Sequence, residues 1–105
     1  MQTLAGKDLD RYRQGHPRAM LIDLRPRRDF RVSHIQGAVN IPYPSLERVM
    51  GSLPVDAELV FYCERGGSAM AAARRLAEKG YQTAAIIGAY EDISRLTETV
   101  SGFNI

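Results

Sequence analysis

Short apolar runs, set apart by stretches with helical spacing, constrain this chain more than any other feature. Ala19 to Leu24 (AMLIDL), Glu58 to Cys63 (ELVFYC) and Thr83 to Ile87 (TAAII) read as buried strands. Ala38 to Ile41 reads as a further strand, stopped by Pro42, and Leu4 sits in an expected edge strand. Helices are expected over Lys7 to Gln14, Arg27 to Ser33, Ser45 onward (SLERVMGSL, with Ser45 as N-cap), Ser68 to Lys79 and Ala89 to Leu96. Gly80 is placed to close the fourth of these, and the tail from Thr97 is expected to be irregular. Strands and helices in alternation imply βαβ crossovers and an α/β fold, with a parallel sheet covered on both faces. In such sheets ligands sit beyond the carboxyl ends of the strands.

With 105 residues the chain is expected to form a single domain, residues 1–105, with one core. A formal net charge of +2 gives no case for nucleic acid or an anionic membrane surface as partner. The arginines of RPRRDFR, Arg25 to Arg31, are flanked by Asp23 and Asp29 and read as a solvated loop and helix face more readily than as an anion-attracting rim. No apolar run reaches the length of a membrane span, and MQTLAGKDLD lacks the basic and apolar regions of a secretory signal. A single cysteine forms no internal disulfide, and no Cys/His group has zinc spacing, so neither metal nor cofactor is expected. A reducing cytoplasm is the expected location.

That cysteine lies in YCERGGSA, Tyr62 to Ala69, where an expected strand ends and AMAAARRLAEKG begins a helix. A strand-to-helix loop aims successive backbone N–H groups at one point, and the helix N-terminus adds its own unpaired N–H groups and positive dipole end. One of Gly66 and Gly67 is expected to take a backbone conformation that costs other residues energy. A sulfur at the centre of such a cradle is stabilised as thiolate. The competing reading, a cysteine that is merely a small core hydrophobe, loses weight beside the two glycines and the helix.

Four segments together carry a resemblance. DLRPRRDF followed by HIQGAVNIP, then FYCERGGSA, then GYQTAAIIGAYEDI, resemble the rhodanese family of sulfurtransferases from about Leu4 to Leu96. The resemblance implies a three-layer α/β/α fold with a five-stranded parallel sheet. It also implies a reaction in which a sulfane sulfur passes from a donor such as thiosulfate to the loop cysteine, and from there to a thiophilic acceptor. On that mapping Cys63 is the nucleophile and sulfur carrier, and the segment Glu64, Arg65, Gly66, Gly67, Ser68 and Ala69 surrounds the terminal sulfur and binds substrate. The implied partners are a sulfur donor and a thiol acceptor, each a small molecule or a protein.

One departure concerns the loop. Many family members carry an arginine five positions after the cysteine, where this chain has Ser68, whereas Arg65 stands two positions on. Arg65 either meets a donor sulfonate or points to solvent. Asp23 and Arg25 resemble the family's D-x-R and are expected to brace the loops as a charge pair, and His34 is expected to tie down a loop by hydrogen bonds rather than act as a base. Tyr62 and Tyr90 either line the pocket or belong to the core, and Gly37 and Pro42 read as turn residues.

Two rival readings come from other classes. Phosphatases and arsenate reductases of related fold close a longer loop with an arginine six positions after the cysteine, where this chain has Ala69. A sulfur-carrier or regulatory interaction module of the same family would retain the cysteine yet turn over small molecules poorly.

Overall fold

The computed structural model describes residues 1–101. The chain runs through β1 (Gln2–Ala5), a 3-10 turn (Gly6–Asp8), α1 (Leu9–Gly15), β2 (Ala19–Asp23), α2 (Arg27–Val32), β3 (His34–Ile35) and β4 (Val39–Asn40). It continues through two 3-10 turns (Tyr43–Ser45 and Met50–Ser52) flanking α3 (Leu46–Val49), then β5 (Glu58–Tyr62), α4 (Gly67–Glu78), β6 (Gln82–Ile87), α5 (Tyr90–Ile93) and β7 (Thr99–Val100). Five strands make one sheet in the order β1-β6-β5-β2-β4, every pair parallel.

Alternation along β5 sorts the core into two halves. Leu59 and Phe61 enter one apolar cluster with Leu46 and the α4 residues Ala69, Ala72, Ala73 and Leu76. Val60 and Tyr62 enter the other, with Leu9, Ile35 and Ile93. The sheet is thus sandwiched, α3 and α4 on one face and α1 and α5 on the other. Cys63 continues the face of Leu59 and Phe61 and so points toward α4. Small alanines on α4 let that helix lie close on the sheet. Its C-terminus closes as expected: Gly80, at φ +97°, donates to the Ala77 carbonyl, and Tyr81 to the Leu76 carbonyl.

Three expectations need correction or refinement. Ser45 does not cap a helix through its side chain. Pro42 opens a turn one step earlier, Ser45 N–H donates to the Pro42 carbonyl at 2.8 Å, and Ser45 is already in helical backbone. A side-chain cap requires extended backbone at that residue, so its hydroxyl instead accepts from Arg48 at 3.3 Å. The tail from Thr97 is not wholly irregular, because Thr99–Val100 pairs antiparallel with His34–Ile35. Residues 102–105 of that tail lie outside the described residues. The last expected helix is shorter than Ala89 to Leu96, with Ala89 extended and only Tyr90–Ile93 α-helical.

The strand order positions the site. From β2 the chain moves outward to β4, whereas from β5 it moves the other way, through α4, to β6. The loops leaving the carboxyl ends of neighbouring strands β2 and β5 therefore diverge, which opens a crevice between them. Residues 24–26 and 63–66 are those two loops.

Candidate active site

Cys63 is 5% exposed and lies at the floor of that crevice, a cleft of about 460 Å³. Its Sγ accepts two backbone hydrogen bonds, from Gly66 N–H at 2.9 Å and from Ala69 N–H at 3.3 Å. Ala69 belongs to the first turn of α4, whose N–H groups have no partner within the helix. The loop can wrap the sulfur because Gly66 takes φ +103° and ψ −21°. Gly67 needs no such freedom; it begins the helix, and a Cβ there would meet nothing within 4 Å. The loop is held from outside by Tyr90 N–H, which donates to the Glu64 carbonyl at 2.9 Å. Gly88, also at positive φ, presents its peptide to the face of Gly66 where a Cβ would stand.

The cleft brings Glu64, Arg65, Gly67 and Ser68 to its lining around Cys63. Glu64 and Arg65 are exposed, while Gly66 and Ala69 lie below, against the sulfur. All seven residues anticipated in the loop are therefore at one place, in three positions: under the sulfur, beside it and at the rim.

Asp23 and Arg25 form a buried pair. Arg25 Nε and Nη2 donate to the Asp23 carboxylate at 3.1 and 2.9 Å, and the Arg25 N–H adds a third bond at 2.8 Å. Nη2 also donates to the Ser33 carbonyl at 2.6 Å, and the guanidinium stands 3.6 Å from the Tyr90 ring centre. Burial opposes the Arg25 charge; hydrogen bonding and attraction from Asp23 outweigh it and hold the group above its ordinary pKa. Burial, followed by the Asp23 charge, pushes the Tyr62 phenol far above its usual range. Tyr62 and Tyr90 are core residues: Tyr62 OH accepts from Ile35 N–H at 3.1 Å, and Tyr90 OH shares a 2.7 Å hydrogen bond with Ser33 Oγ. His34 Nδ1 donates to the Phe30 carbonyl at 2.8 Å and its ring stacks on Phe30 at 3.7 Å.

Several participants left no readable trace in the sequence. Asn40 Nδ2 bridges the carbonyls of Asp23 and Arg25, and Ser33 joins Arg25 to Tyr90. Gly88 alone carried a signal, a glycine directly after an apolar strand.

A family model described as a rhodanese-like domain matches residues 7–96. The chain belongs to the rhodanese family. It is 32% identical over 80 residues to the protein YqhL of Bacillus subtilis (strain 168), a match covering 76% of this chain and 61% of that one. It is 34% identical over 61 residues to thiosulfate sulfurtransferase GlpE of Shewanella oneidensis, covering 58% of this chain and 60% of the relative. Against the adenylyltransferase and sulfurtransferase UBA4 of Vanderwaltozyma polyspora it is 33% identical over 70 residues, 57% of this chain but 16% of the relative. The chain thus spans less than two thirds of the length of each of these relatives. Among solved structures, a rhodanese-related protein of Thermoplasma volcanium superposes with a TM-score of 0.83 at 20% identity, covering 95% of this chain and 98% of that one. The fold this chain shares with it is the five-stranded parallel sheet between helices described above.

Proposed function

We propose that this rhodanese carries sulfur on Cys63 and transfers it from a sulfane donor to a thiophilic acceptor. The observation that supports this most is the pair of amide hydrogen bonds on Cys63 Sγ at the floor of the cleft. Donors already aimed at sulfur stabilise a thiolate before reaction and the same sulfur as a leaving group afterwards, without reorganisation. With thiosulfate, the Cys63 thiolate attacks the outer sulfur. The new S–S bond forms, the S–SO3 bond breaks with its electron pair leaving on sulfite, and Cys63 becomes a persulfide anion. Arg65 at the rim would attract the sulfonate, and Asp23, Arg25 and His34 would keep the surrounding loops in place. The reaction needs neither metal nor cofactor. It needs a reduced thiol, which fits a cytoplasmic setting and one rhodanese-like domain acting over residues 1–105.

A second reading has its own support. One relative is a much longer adenylyltransferase and sulfurtransferase, of which the matched region is a small part. A sulfur carrier that receives or delivers sulfur through a protein partner would retain the same loop while turning over small molecules slowly. Intact mass spectrometry before and after thiosulfate tests the primary reading. A gain of one sulfur, removed by a thiol reductant and absent in Cys63→Ser, is expected. Sulfur transfer persisting in Cys63→Ser at more than about a thousandth of the wild-type rate would overturn it.

A further inference from the structure

The outer part of the cysteine loop has little to hold it. Glu64 and Arg65 are exposed, and among the described residues only Tyr90 N–H, donating to the Glu64 carbonyl at 2.9 Å, ties either of them to another element by a hydrogen bond. Gly66, whose N–H meets Cys63 Sγ, follows shortly after that carbonyl. Whatever fixes Tyr90 N–H therefore helps to fix the amide aimed at sulfur.

The main chain around Tyr90 does not fix it alone. Gly88, at φ +112°, leads in from β6. α5 has four residues, too few to be stable by its own hydrogen bonds. Its first N–H groups lack partners within the helix, which leaves Tyr90 N–H to face the loop. The Tyr90 side chain supplies the anchor. It is buried, its ring centre lies 3.6 Å from the Arg25 guanidinium and 5.7 Å from the Tyr62 ring, and its hydroxyl shares a 2.7 Å bond with Ser33 Oγ. Arg25 is itself clamped by Asp23 and the Ser33 carbonyl. A cation on the face of a buried ring is a directional contact that an aliphatic side chain cannot make.

We infer that Tyr90 is a positioning residue for Cys63. Its ring, held by Arg25, keeps its N–H on the Glu64 carbonyl, and through that carbonyl keeps the Gly66 amide on the sulfur. Tyr90 touches no reacting atom. It belongs to the apolar cluster on the opposite face of the sheet from Cys63, so the buried Asp23–Arg25 pair acts on the thiolate across the sheet. The bearing of Tyr90 on sulfur transfer rests on Cys63 being the sulfur carrier; its bearing on the thiol does not.

Alkylation of Cys63 by iodoacetamide across pH, in the whole chain, tests this. Three substitutions separate the parts. Tyr90→Phe keeps ring and N–H, and Tyr90→Leu keeps the N–H without the ring. Tyr90→Pro removes the N–H at a helix start that suits proline, since Ala89 before it is extended. In Tyr90→Leu and Tyr90→Pro the midpoint of alkylation should move up by about 1–2 pH units, the equivalent of one hydrogen bond to a charged group. The alkaline plateau should be no lower than in wild type, because a more basic thiolate is the better nucleophile. Tyr90→Phe should match wild type. Thiosulfate loading should slow by about 10-fold in Tyr90→Leu, part of the roughly 10²–10³ that a whole donor is worth. Damage to packing without loss of the amide would lower the plateau and leave the midpoint in place. That result, or a Tyr90→Phe midpoint shifted as far as that of Tyr90→Leu, would overturn the proposal. Wild type provides a test of its own where variants fail to fold. In heteronuclear NMR the Tyr90 amide should shift with the alkylation midpoint and lose that response in Cys63→Ser; a Tyr90 amide indifferent to Cys63 would overturn the proposal. Midpoints that move as expected while wild type gains no sulfur would support the positioning role and count against the sulfur-carrier reading.

Discussion

Gly66 and Gly67 are neighbours of the same type, yet the geometry predicts opposite responses to the same substitution. Gly66 lies at φ +103°, where a residue with a Cβ is strained by roughly 1–3 kcal/mol. The added methyl itself meets no clash, since the nearest atoms, Gly88 N and O, would be at 3.5 Å. The cost of Gly66→Ala is therefore conformational and falls on the loop. Gly67 opens α4 and has open space where a Cβ would stand. Gly67→Ala should be neutral or stabilise by up to about 1 kcal/mol, through lower backbone entropy in the unfolded chain. The two variants should then differ by about 1–4 kcal/mol, and each kcal/mol moves the midpoint of a domain of this size by roughly 4–8 °C. Urea and thermal unfolding of both read this directly. Activity should fall further than stability in Gly66→Ala, because its N–H reaches Cys63 Sγ at 2.9 Å; loss of a donor of this kind costs roughly 10²–10³ in rate. Equal stability of the two variants would refute the assignment of the strained position to Gly66. A stable Gly66→Ala protein with full sulfur transfer would refute the role given to its amide.

Removing one partner of the buried Asp23–Arg25 pair should be severe: Asp23→Ala leaves the guanidinium without its anion at an expected cost of about 3–5 kcal/mol, and a urea-derived loss below about 1 kcal/mol would contradict the pair's importance. Arg65→Ala should raise the KM for thiosulfate more than it lowers kcat, and Ser68→Arg should improve thiosulfate turnover, with the gain shrinking at high salt; unchanged kinetics in Arg65→Ala would make Arg65 a solvent-facing residue. Burial and then Asp23 raise the Tyr62 phenol, so its contribution to stability is complete below the unfolded value of about 10 and is lost as pH rises beyond it, by up to about 1.4 kcal/mol per pH unit. Unfolding midpoints measured on either side of that pH should show a shallower alkaline decline in Tyr62→Phe, and parallel declines would assign the loss to another group.

Local chemistry determined what could be read before the structure. The strands over Ala19–Asp23, Glu58–Tyr62 and Gln82–Ile87, and the helix Gly67–Glu78, announce themselves because burial on both faces, helix propensity and a closing Gly80 are written into consecutive residues. The position of Cys63 beneath the α4 N-terminus was equally legible, since a strand, two glycines and a helix leave few other places for the sulfur. Features made by distant segments were not. Thr99–Val100 has no strand signature of its own and becomes one only by pairing with His34–Ile35. Ser33 joins Arg25 to Tyr90 through contacts that no spacing rule connects. Ser45 misled because a serine before an apolar helical face is a good cap only if the chain arrives extended, and Pro42 had already turned it. Which of two adjacent glycines bears the positive φ depends on where the helix starts, a matter of one residue.

The place of β1 in the sheet has a consequence for how the chain is made. Gln2–Ala5 is made before the other four strands of its sheet, yet its hydrogen-bonding partner is Ala84–Ile87, in the last of them to be made. Until then the opening strand has no edge to join. β2 and β5 can pair while translation continues, but the sheet reaches its full width only after β6 has emerged. Contacts so far apart in sequence are slow to form, and an unpaired strand edge is open to other chains in the interval. A nascent chain stalled before β6 would therefore expose a β5 edge that the folded sheet covers, so the interval before β6 emerges is one in which this domain is open to mispairing.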